Sequence, residues 1–153
     1  MVHLREMPEH LRNALVNQEV PTFDSTPWVD AKPLRESRVA LISTAGLHRR
    51  EDAPFTPGAG DYRIIPDDYD MNGLVMSHVS MNFDRSGFYQ DINVAFPIDR
   101  LRELGEAGEI GSLAARHYSF MGATPPNVME KVARDLAGLL RQDRVDAVVL
   151  CPV

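Results

Sequence analysis

"TPPNVMEKVARDLAGLLRQDRVDAVVLCPV" fills residues 124–153, and its reading sets the fold. Val128, Val132, Leu136, Leu139 and Leu140 fall on one stripe of a 3.6-residue helix. Pro125 and Pro126 stand in the first turn, where a missing N–H costs little, and Thr124 is placed to cap it. The polar turn "RQDR" follows, and then 145–150 read as a strand around the apolar run 147–150. Helix, short turn and apolar strand make the second half of a βαβ unit.

Working outward, "SRVALISTAG" at 37–46 supplies a first strand. Its unbroken apolar run 39–42 suits a parallel strand covered on both faces. It closes in Ser43, Thr44, Ala45 and Gly46, small residues that let a backbone turn sharply or approach a ligand. "LHRREDAPFTPGAGDYRIIP" reads as a long polar loop ending in a short strand at 62–65. "GLVMSHVS" at 73–80 and residues 116–121 read as further strands. Asn82, Asp84, Ser86 and Gly87 crowd a stretch of turn formers. "PIDRLRELGEAGEIG" reads as a helix opened near Pro97 and closed by Gly105 or Gly108.

The expected architecture is α/β: a mainly parallel sheet flanked by helices, a flavodoxin-like or aspartate/glutamate-racemase-like half. Residues 37–153 form that unit and residues 1–36 an irregular arm. Within the arm, Leu11, Leu15 and Val16 line a short helix, and "VPTFDSTPWVDAKP" carries three prolines in 14 residues. Phe23 and Trp28 are expected to pack on the unit's own surface, with a clamp on a second subunit as the alternative.

Composition narrows the class. Apolar content of 44% and charged content of 25% are ordinary for a globular chain. A net charge of −6 argues against nucleic acid and anionic lipid as partners. No run has the length of a membrane-spanning helix. One cysteine makes no internal disulfide, so a cytoplasmic setting is expected.

Chemistry is sought where strands of an open α/β sheet end, since ligands collect beyond their carboxyl ends. One such end offers Ser43, Thr44, Gly46 and, two residues on, His48; the other offers Cys151. If the two strands run parallel in one sheet, His48 and Cys151 share an edge. A thiol beside a histidinium loses its proton more easily and becomes a nucleophile. Equally, a lone cysteine after an apolar run is a small buried hydrophobe. His78 and His117 are each either hydrogen-bonded structural groups or pocket residues. Together with His48, Asp61 and Asp91 they are the remaining candidates for an acid–base or metal site, but no pair has zinc-ligand spacing, and no metal is assigned. Gly60, Asp61 and Arg63 are candidates for a pocket mouth, although "GAGDYR" lacks the ending of a phosphate loop.

Several ordered segments resemble one family. "RVALISTAGLH", "GDYRIIP", "SH" at 77–78, "DINVAFPIDRLREL", "GEIGSLAARHYSFMG" and "VDAVVLCPV" are similar to component B of glycine/sarcosine/betaine reductase and to the small subunit of D-proline reductase. The resemblance spans roughly 37–153 and leaves the arm outside. It implies an oxidoreductase in which a selenocysteine, or a cysteine in related proteins, attacks the carbon bearing an amino group, and C–N cleavage follows. A pyruvoyl group on a partner subunit would activate the amine; no cofactor is expected on this chain.

Cys151 stands near the nucleophile's position, His48 is the acid–base candidate, and Ser43, Thr44, Gly46, Asp61, Arg63, His78 and His117 would line the substrate site. The chain departs from the pattern in two ways. It has no selenocysteine, and it stops at Val153 before the family's further cysteine, as a truncated polypeptide would. The expected partners are a small amine, amino acid or related molecule, and either further copies of the chain or another reductase subunit. The alternatives are a scaffold subunit with a buried Cys151, or a racemase-like enzyme that needs a second thiol from elsewhere.

Overall fold

The structure is a computed structural model that describes residues 3–24, 26, 28–80 and 85–153; Asn82 and Asp84 lie outside them. Seven strands are found among the described residues: β1 Arg38–Ser43, β2 Leu47–Arg49, β3 Arg63–Pro66, β4 Leu74–Met76, β5 Ser112–Leu113, β6 Arg116–Ser119 and β7 Ala147–Cys151. The α-helices described with them are α1 Glu9–Val16, α2 Ser86–Gln90, α3 Ile98–Glu106 and α4 Pro126–Gln142. The α/β expectation holds.

β1 is the axis of the sheet. It pairs in parallel with β7 on one side, and on the other first with β5 and then with β6. β3 lies antiparallel outside β6, while β2 and β4 form a separate antiparallel pair. The run 39–42 is covered on both faces, as its composition requires.

The register sorts the core into two layers. Val39, Leu41 and Ile65 pack with Phe96 and with Ile98 and Leu101 of α3. On the opposite face Ile64, Tyr118 and Ile42 pack under Met129, Val132 and Leu136 of α4. Val132, Leu136, Leu139 and Leu140 of the stripe predicted for α4 press on this face, whereas Val128 stays exposed and Met129 takes its place. Gly108, at φ 72°, follows the end of α3 in the left-handed region that glycine enters freely.

Some expectations are corrected. The polar stretch after Gly46 contains β2, because cross-strand pairing with β4 holds three residues that have no strand pattern of their own. Ser86 and Gly87 open α2 instead of extending a turn. Thr124 does not cap α4: Pro125 holds the N-cap position, and the Thr124 hydroxyl donates to the Ala59 carbonyl at 2.7 Å.

The arm's aromatic residues are not packed inward. Phe23 lines a groove beside Met129 and Ala133 of α4 but stays mostly exposed, and Trp28 is 86% exposed. α1 has no buried residue. Lys32 ties the arm's end down through Asp146, 2.7 Å away.

Candidate functional site

The register places Arg63, Ser119, Ser43 and Cys151 in one row across β3, β6, β1 and β7. Strands are spaced about 4.8 Å apart, so Arg63 and Cys151 sit roughly 14 Å from each other. The row lies at the carboxyl ends of the parallel strands, where the sequence placed the chemistry. Ser43 and Cys151 are direct neighbours in it.

Small residues close over this end. The Thr44 N–H donates to the Cys151 carbonyl at 3.1 Å, and the Val153 N–H donates to Thr44 Oγ1 at 2.8 Å. Gly122 crosses so closely that a Cβ there would lie 2.9 Å from the Thr44 carbonyl oxygen. Gly46, at φ 66°, turns the chain away beneath the backbone of His78.

Cys151 is half-buried among the α3-side core residues. Burial pushes its pKa above that of a free thiol, and among the described residues no cation offsets this. The resting group is therefore the neutral thiol. Ser43 is not its base: its hydroxyl donates to the Ala95 carbonyl at 2.7 Å and accepts the Ala45 N–H at 3.1 Å.

His48 is turned into β2, opposite Val75. Its Nδ1 donates to the Arg49 carbonyl at 2.7 Å, which leaves Nε2 as a buried acceptor without a hydrogen bond among the described residues. Among those residues, no hydrogen bond or ion pair joins it to Cys151.

His117 belongs to the sheet itself. Between the points where β1 pairs with β5 and with β6, the Leu41 N–H donates to His117 Nδ1 at 3.0 Å. That bond fixes the neutral ring with its proton on Nε2, 3.4 Å from Asp67 Oδ1. Burial lowers the pKa of His117 more than Asp67 raises it. His78 lies under Gly46, its Nδ1 accepts the Ser80 N–H at 3.1 Å, and burial with nearby Arg85 lowers its pKa.

Arg63 is held by Asp61 at 2.6 Å and by the Ala53 carbonyl at 2.9 Å, and it lies over the Phe55 ring. Asp91 caps its own turn through the Asn93 N–H. Among the described residues no three His, Cys, Asp or Glu side chains converge to hold a metal.

One feature escaped the sequence reading. A cleft of about 730 Å³ opens between the 67–74 loop, α2 and the start of α3, and of the candidate site residues Asp91 alone lines it. Arg102 bonds to Asp67 and Asp99 in its wall. The sequence showed only that this loop is acidic; the partner helix comes from 30 residues downstream.

The comparisons with known proteins bear on the row that ends in Cys151. The glycine/sarcosine/betaine reductase selenoprotein B family model matches residues 15–153. The chain belongs to this family. The match begins inside the arm, so the family's span takes in much of the segment that the resemblance had left outside.

The D-proline reductase subunit gamma of Acetoanaerobium sticklandii is 35% identical over 136 residues, covering 86% of this chain and 55% of that protein. The sarcosine reductase complex component B subunit beta of Peptoclostridium acidaminophilum is 28% identical over 141 residues, covering 86% and 31%. The glycine reductase complex component B subunit gamma of Carboxydothermus hydrogenoformans is 28% identical over 138 residues, covering 86% and 32%. The chain thus spans about half of the first relative and about a third of the other two. No solved structure matches. Among the described residues no helix is long and apolar enough to cross a membrane.

Proposed function

We propose that this chain is a thiol-bearing subunit of a multi-component reductase acting on a small amine or amino acid, with Cys151 as the reacting group. The observation that supports this reading is the place of Cys151, at the carboxyl end of β7 beside Ser43, in a chain of the selenoprotein B family. Glycines at 46 and 122 keep bulk away from that end.

The chemistry follows from a thiol at a substrate carbon. Deprotonated Cys151 attacks the carbon bearing the amino group; an S–C bond forms, the C–N bond breaks, and the amine leaves with the electron pair and takes up a proton. A second thiol, as thiolate, then attacks the sulfur, which forms a disulfide and releases the carbon as C–H. Cys151 is the one cysteine of these 153 residues, so the second thiol and the later reductant lie outside them.

A pyruvoyl group that activates the amine likewise belongs to a partner. The thiol's raised pKa means that attack also needs a base or cation that the free chain lacks.

Substitution of Cys151 by serine tests the reading. In a complex reconstituted from this chain and its partner subunits, C151S is expected to assemble normally and release no amine. Amine release at the unsubstituted rate would remove Cys151 from the mechanism. It would leave the second reading, a docking subunit, which the exposed arm and the protonated thiol favour.

A further inference from the structure

On the α4 side of the sheet the register sets Ile64, Tyr118, Ile42 and Leu150 in one row. α4 covers the first three. The fourth, Leu150, is 70% exposed, and Val148 beside it is 36% exposed. Among the described residues nothing closes over Leu150 as α4 closes over the other three, and Val148 is only partly covered. β7 is also an edge: β1 pairs with its full length on one side, and among the described residues no strand pairs with it on the other.

Exposed edges are usually blunted by charge, proline or a bulge. The five residues of β7, Ala-Val-Val-Leu-Cys, contain none of these. Their composition is that of a parallel strand flanked on both sides and covered on both faces. The opposite edge, β3, ends in Pro66 and carries Arg63, and β2 lies close to it.

We infer that β7 and the bare strip beside α4 are a docking surface for one further strand–helix unit. Its strand would run parallel to β7, and its helix would lie over Val148 and Leu150. The occupant is the part of the family's length that the relatives carry outside the stretch they share with this chain. That part amounts to nearly half of the D-proline reductase subunit gamma. The inference rests on family membership and not on the role of Cys151, so C151S is expected to dock as the unsubstituted chain does.

The probe is that unshared part of the Acetoanaerobium sticklandii subunit, co-expressed with the full 153-residue chain. Co-purification is expected, with amide exchange slowed along 147–151, and Leu150→Asp is expected to abolish both without altering the free chain's elution. Failure to co-purify, or a complex that leaves those amides unprotected or survives Leu150→Asp, would overturn the inference. So would self-association of the chain through β7. Where the separate part does not fold, a fusion joined by a Gly/Ser linker decides: Leu150→Asp destabilises the fusion if Leu150 is covered there, and equal stability overturns the inference.

Discussion

β1 and β7 carry almost the same message, Val-Ala-Leu-Ile in one and Ala-Val-Val-Leu in the other, and they pair along their whole length. Yet Ala40 and Leu41 are wholly buried, while Val148 is partly and Leu150 mostly exposed. An apolar run therefore tells that a strand is built to be enclosed; it does not tell which side of the enclosure is present. The β1 end of the row is finished, with each Ser43 hydrogen bond made. The β7 end holds a thiol that is neither ionised nor fully covered.

The largest effect that sharpens this contrast is expected at Leu41. Leu41→Ala should cost about 2–5 kcal/mol in chemical denaturation, through lost burial and the cavity left in a filled layer. His117 comes next. His117→Phe keeps bulk but strips the Leu41 N–H of its acceptor, at about 1–3 kcal/mol.

Acid should act through the same ring. Burial lowers the folded pKa of His117 and of His78 below the unfolded value of about 6.5, so the unfolded chain binds more protons beneath it. Stability should be full above that pH and fall on acidification, by at most about 1.4 kcal/mol per pH unit per histidine, until the folded pKa values are reached. Urea midpoints measured from pH 7 to pH 5 check this, and the slope should shrink in His117→Phe.

The smallest effect should come from the β7 side. Leu150→Ala in the free chain should change stability by no more than about 0.5 kcal/mol, because its side chain has little cover to lose. A cost near that of Leu41→Ala would break the comparison and show that β7 is enclosed after all.

The sequence disclosed the elements with a long signal: β1 and β7 by their runs, α4 by its stripe, and the meeting of Ser43 with Cys151 by the logic of parallel strands. It hid what depends on partners far along the chain. β2 is three residues whose strand character exists only opposite β4. His117 stayed open between a structural and a pocket role because nothing local shows that it fills a missing backbone acceptor between β5 and β6. His48 was read two residues past a strand end, but the turn at Gly46 carries it into the separate β2–β4 pair.

The thiol itself offers a further check on the free chain. Because burial raises its pKa, Cys151 should react with iodoacetamide slowly at pH 7, with a rate midpoint above the ordinary thiol value of about 8.5. A midpoint below that value would mean that the chain activates the thiol unaided.

The most direct test is intact-mass analysis of this chain during a single turnover in the reconstituted reductase, with the second thiol withheld. The account predicts a covalent adduct on Cys151 equal to the substrate's carbon skeleton, in step with release of the amine. Amine release with Cys151 unmodified would contradict it.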